Sequence, residues 1–173
     1  ADASAWPQVF GPLAQAVRAH ALPAPLLHDL ISAFEQDVRH TAAGHVYADS
    51  AELLAYCRLS ANPVGRLLLH LYGMADARSL AQSDAICSAL QLINFWQDLS
   101  VDAPRDRLYV PLADAARHGV SVDDLRARRD GPAARALVAE LCHWARALMR
   151  EGAPLATRLP GRAGWELRLV VQG

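Results

Sequence analysis

The chain has 173 residues, enough for one domain with a real core, and 53% of them are hydrophobic. They are rich in Ala and Leu and poor in β-branched types, which favours an all-α fold. A net charge of −1 gives no basic footprint for nucleic acid, the apolar runs are too short to span a bilayer, and nothing at the start reads as a signal peptide.

In chain order, residues 1–6 read as a loose lead-in and Pro7 to Ala21 as a short amphipathic helix broken by Pro23 and Pro25. A second helix is predicted from Pro25 to about Thr41, with Leu26, Leu27, Leu30, Ile31 and Phe34 as its apolar stripe. Glu35 and Asp37 near its end read as solvated surface. His40 and His45 lie five apart on no common helical face, so they are not read as a metal pair. Asp49-Ser-Ala-Glu52 reads as a capping box opening a third helix. Pro63 within that helix predicts a kink, and Gly65 predicts close approach by a neighbour. Cys57, Cys87 and Cys142 are scattered, form no CxxC pair, and read as reduced core thiols of a cytosolic protein.

The central helix is predicted from a second box, Ser79-Leu-Ala-Gln82, to about Asp102 before Pro104. Gln91, Asn94, Asp98 and Asp102 recur at spacings of three and four and share one face. Leu90, Leu92, Ile93, Phe95, Trp96, Leu99 and Val101 cover most of the rest, so the helix reads as buried with a narrow polar stripe facing an interior. The chain has no Lys, and no Arg lies between Arg78 and Arg105. Two carboxylates one turn apart, roughly 6 Å, repel by about 3 kcal/mol at an effective dielectric of 20. Protonation, a cation from another helix or a metal must relieve them. Oxygen donors without Cys or His favour a hard cation such as Mg²⁺.

Beyond this helix, Ala103 to Pro111 reads as a loop with Arg105 and Arg107 placed to close over an anion. Short helices follow at Leu112 to His118 and from Ser121, then a long amphipathic helix from Pro132 to Arg150 with Leu137, Leu141, Trp144 and Leu148 inward. Trp165 to Gly173 reads as the opening of a core helix.

The block Gln91-x-x-Asn94-x-x-Gln97-Asp98-x-x-x-Asp102-x-x-x-x-Arg107-x-Tyr109-Val-Pro111 closely resembles the second aspartate-rich motif of the squalene and phytoene synthases. Its NFWQD wording is most similar to the bacterial hydroxysqualene synthases of hopanoid pathways. The run YCRLSANPVG around Tyr56 resembles the cavity-lining helix of the same family, and Phe34 to Val38 resembles a helix that approaches the site there. Asp106 departs from the pattern, standing where many members have Gly.

The resemblance implies an isoprenoid-synthase helical fold around an apolar cavity, with two facing aspartate-rich helices. The only aspartate pairs at spacing four here are Asp98/Asp102 and Asp102/Asp106, so the expectation is a partial domain without the first motif and the C-terminal end. By resemblance, Asp98, Asp102 and Asn94 ligate Mg²⁺, Arg107 holds diphosphate supported by Tyr109, and Gln91 and Tyr56 line the cavity near the cation. The implied substrate is presqualene diphosphate, converted to hydroxysqualene by water capture. No glycine-rich dinucleotide fingerprint is present, in keeping with a reaction needing no NADPH. Phytoene, squalene or presqualene diphosphate synthesis are the alternatives within the family. A non-catalytic binding or assembly module is the alternative outside it. A cytoplasmic protein touching the inner membrane peripherally, to release an apolar product, completes the expectation.

Overall fold

The computed structural model describes residues 6–172, so the predicted lead-in lies almost wholly outside the described residues. They form eleven α-helices: α1 (Pro7–Ala19), α2 (Ala24–Ala43), α3 (Ser50–Ser60), α4 (Asn62–Leu71), α5 (Ala77–Gln97), α6 (Leu99–Asp102), α7 (Leu112–Arg117), α8 (Val122–Arg126), α9 (Pro132–Gly152), α10 (Leu155–Arg158) and α11 (Gly161–Gln172). A 3₁₀ turn, Ala103–Arg105, follows α6. Among the described residues, an isolated parallel bridge between Val46 and Leu108 is the only strand-like pairing.

Helix α5 is the axis of the structure. It packs most extensively on α9 and next on α4, with α3 against it as well. Small and apolar residues lie all round it, and Ser79, Ser83, Ala85, Ile86, Ser88, Ala89, Leu92, Phe95 and Trp96 are all buried. Such a surface can be covered on several sides at once, which places the helix centrally. α9 presents Leu137, Leu141, Ala145 and Met149 as one buried stripe, spaced a turn apart. Leu92, Leu137 and Leu141 are almost wholly excluded from water, each contributing about 1.5–3 kcal/mol of burial. Two glycines bring helices onto α5. A Cβ at Gly65 of α4 would strike the side chains of Ser83 and Cys87, and one at Gly152 of α9 would strike Ile86 and the carbonyl oxygen of Gln82. The predicted close approach at Gly65 is therefore observed.

Several local expectations change. The cap of α5 is Asp76, whose side chain accepts from the Ser79 backbone N–H at 3.0 Å and from the Ser79 hydroxyl. Ser79 is thus the third helical residue instead of the cap, because Asp76 can satisfy an orphan donor one turn earlier. Asp49 does cap α3, but Glu52 turns back to the Ala48 N–H, so the box is not reciprocal. At Pro63 the helix breaks instead of bending. Ala61 leaves helical geometry (φ −120°, ψ −49°) and Pro63 sits in the first turn of α4, where its missing N–H leaves no bond unmade. Cys57 is buried and Cys87 half-buried, whereas Cys142 on α9 is exposed, not a core thiol. The stripe of α2 is only partly covered: Ile31 is 55% and Phe34 72% exposed. On α11, Trp165 and Leu169 are likewise exposed rather than in a core.

Candidate functional site

The polar stripe lies where α5 gives way to α6. Asp98 donates its N–H to the Asn94 carbonyl at 2.9 Å, then leaves helical geometry (φ −93°, ψ 6°). Its own carbonyl accepts from Val101 and Asp102, both at 2.8 Å. The predicted continuous helix is therefore interrupted at Asp98, yet Asp102 still stands one turn further on. Leu92, Phe95 and Trp96 are buried as expected, while Asn94 and Asp98 are exposed and Gln91 and Asp102 half-buried. The stripe is open on this chain instead of enclosed.

Neither Asp98 nor Asp102 has an ion-pair or side-chain hydrogen-bond partner among the described residues. Burial pushes the Asp102 carboxyl above its usual range; the nearby Arg107 opposes this and the Asp98 charge adds to it. Among the described residues no three His, Cys, Asp or Glu side chains converge as a ready-made metal cage. Two unpaired carboxylates with an amide oxygen nearby nonetheless fit Mg²⁺, which takes one or two protein carboxylates and fills its other positions with phosphate oxygens and water.

The loop after α6 carries the cation. Arg107 donates through Nη2 to Asp37 (3.2 and 3.4 Å) and to the Tyr109 hydroxyl (2.6 Å), and through Nε to the same hydroxyl (3.2 Å). The Tyr109 hydroxyl in turn donates to Asp37 at 3.0 Å. Burial works against the Arg107 charge, but Tyr109, Asp37 and Asp102 outweigh it and hold the guanidinium above its ordinary range. Asp37, read from the sequence as solvated surface, is thus a member of the site. The Phe34 to Val38 resemblance was the one signal that could have found it. Glu35 is exposed as expected, beside Arg39.

The loop's geometry rests on Asp106, which adopts the left-handed conformation (φ 56°, ψ 29°). Asp tolerates that region better than most residues other than Gly, so it can occupy this turn. Its carboxylate meets Arg126 at 3.2 Å instead of adding an unpaired charge beside Arg107. Arg105 is exposed. The loop then docks on the segment after α2: Leu108 bridges Val46, and the Leu112 and Ala113 N–H groups donate to the Tyr47 and Ala48 carbonyls, both at 2.9 Å.

Beneath this loop the aromatic rings close up. Tyr109 stacks on Phe95 with centroids 3.8 Å apart, and Tyr56 and Tyr47 pack around it at 6.2 and 5.9 Å. Tyr56 is buried, and its phenol is pushed up to about 12, first by burial and then by the Asp37 charge. It therefore stays neutral at physiological pH. His40 and His45 do come together, ring centroids 3.9 Å apart, because left-handed Gly44 turns the chain back over the end of α2. His45 meets Glu52 at 3.0 Å, and His40 Nδ1 is buried without a partner.

An open carboxylate pair where α5 gives way to α6, an arginine held by Asp37 and Tyr109 in the following loop and a bed of aromatic rings make up the candidate site of this all-α fold. The sequence profile of the squalene/phytoene synthases matches residues 1–173, and the chain belongs to that family. It is 45% identical over 102 residues to a phytoene synthase of Thermus thermophilus (59% of this chain, 35% of the relative). It is 34% identical over 162 residues to a hydroxysqualene synthase of Rhodopseudomonas palustris (91% of this chain, 53% of the relative). The crystal structure of the squalene synthase HpnC from Alicyclobacillus acidocaldarius superposes with a TM-score of 0.88 at 38% identity, covering 95% of this chain and 61% of that one. The chain thus spans about half the length of the hydroxysqualene synthase it matches.

Proposed function

We propose that this chain forms the second-aspartate side of an enzyme that ionises a prenyl diphosphate, with presqualene diphosphate as substrate and hydroxysqualene as product. The observation that carries the reading is the unpaired Asp98/Asp102 stripe one turn long, set beside Arg107. In the reaction the carbon–oxygen bond to diphosphate breaks with its electron pair on the leaving group, the cation rearranges, and water adds with loss of a proton. Asp98 and Asp102, with Asn94, would hold Mg²⁺ there, and the ion would neutralise the charge of the departing diphosphate. Arg107 binds the diphosphate through its free edge, and Tyr109 keeps that side chain in place. Tyr56 and Gln91 line the path of the cation; a neutral aromatic ring stabilises positive charge without forming a bond to it.

The hydroxysqualene synthase of Rhodopseudomonas palustris, matched over 91% of this chain, supports this choice of product. The 45% identity to the Thermus thermophilus phytoene synthase favours a second reading, in which the same site joins two prenyl diphosphates. Calorimetric titration of Mg²⁺ with inorganic diphosphate tests the site itself. Binding is expected in the wild type and weakened at least about tenfold, ~1.4 kcal/mol, in Asp98→Asn. Equal affinity in both removes the metal assignment.

A further inference from the structure

We infer that Asp37 is a positioning residue for Arg107, fixing its guanidinium so that one edge stays available to an anion; the anion being a diphosphate rests on the function proposed above. Asp37 lies near the end of α2 and Arg107 in the loop after α6, seventy positions apart in sequence. Asp37 accepts from Nη2 and from the Tyr109 hydroxyl, and that hydroxyl also accepts from Nε and Nη2. Three side chains therefore close a ring of hydrogen bonds on one edge of the guanidinium. Nη1 takes no part in it and has no hydrogen-bond partner among the described residues.

An arginine side chain gives up much rotamer freedom when it is immobilised. Here that cost falls during folding, before any ligand arrives, so the anion meets a cation already oriented. Asp37 also balances Arg107 while the site is empty, which a half-buried guanidinium needs. Asp37 is bonded to Arg107 and Tyr109, and it acts on the anion through them.

The test uses the whole chain in wild-type, Asp37→Asn, Asp37→Glu and Tyr109→Phe forms. The ¹⁵N heteronuclear NOE of the Arg107 Nε–H, identified by its loss in Arg107→Lys, reports how firmly the guanidinium is held. Calorimetry with Mg²⁺ and inorganic diphosphate reports anion binding. Asp37→Asn is expected to keep the wild-type helical spectrum, lower the NOE, and weaken diphosphate roughly tenfold, the lower end for losing a supporting partner. Asp37→Glu should recover part of both, and Tyr109→Phe should lower the NOE with Asp37 intact. An unchanged NOE in Asp37→Asn overturns the positioning role. So does tighter diphosphate binding, which would make Asp37 a competitor of the anion. If the wild type binds no diphosphate while Asp37→Asn still frees Arg107, the positioning role stands and the diphosphate reading fails.

Discussion

Phe95 of α5 and Tyr109 of the following loop lie face to face, ring centroids 3.8 Å apart and planes within 7°. The stack clamps the arginine-bearing loop to the last turns of α5, just before the break at Asp98. Phe95→Ala should cost about 3–5 kcal/mol, as expected for a buried aromatic. Urea denaturation measures it. A cost below 1 kcal/mol would show that the loop is held by its backbone contacts to Tyr47 and Ala48 alone.

Asp106 occupies a left-handed position and pairs with Arg126. Asp106→Gly is expected to change stability little, since relief of the backbone offsets an exposed ion pair of about 0–1 kcal/mol. Asp106→Val should lose about 1–2 kcal/mol, because its branched side chain resists positive φ. Equal midpoints for the two variants would contradict the backbone assignment.

The two close approaches to α5 should differ in tolerance. A Cβ at Gly65 meets the movable side chains of Ser83 and Cys87, whereas one at Gly152 meets backbone at Gln82. Gly65→Ala should therefore cost about 1 kcal/mol and Gly152→Ala up to about 3 kcal/mol, the range seen on overpacking. The order of the two thermal midpoints is the readout, and a reversal would place the tighter contact on α4.

Asp76 and Asp102 should respond to acid in opposite senses. The Ser79 side chain and backbone N–H hold Asp76 down at about 2, so its contribution is present above the ordinary carboxylate pKa and fades as pH falls toward 2. Asp102 is raised by burial, so the native state binds its proton more tightly and stability falls as pH climbs through the interval above 3.8. Asp102→Asn should thus be more stable than wild type at pH 7 and lose that advantage below pH 3.8, whereas Asp76→Asn should be less stable at pH 7. Melts of the three proteins between pH 2 and 8 decide it; destabilisation of Asp102→Asn at neutral pH would show that the carboxylate is structurally satisfied.

These 173 residues should not turn over presqualene diphosphate unaided. On the proposed function, Asp98 and Asp102 would approach the leaving group from one side only, and water at the open stripe would weaken each electrostatic contribution. Gas chromatography of products formed with purified chain, Mg²⁺ and substrate is the assay. Hydroxysqualene above the metal-only control would mean that one aspartate pair suffices.

What the sequence settled by itself was whatever depends on neighbours within a turn or two. The 3.6-residue period set Asn94, Asp98 and Asp102 at successive turns, and apolar stripes located α2 and α9, while the support of Arg107 by Tyr109 came from the family resemblance of the motif. Even there it misjudged caps, since Asp76 and Ser79 compete for the same orphan N–H groups within 1 kcal/mol or so, about the worth of one cap. Tertiary structure alone decided that Asp37 meets Arg107 across seventy positions, that Tyr109 lies on Phe95, and that His40 meets His45 over the end of α2. Those contacts follow from how Gly44 turns the chain and how the segment after it pairs with the loop after α6, and no periodicity along one helix encodes which loop another loop will touch. Exposure of Asp98 was equally beyond reach, because an apolar helix reads the same whether each of its faces is covered or one is left open.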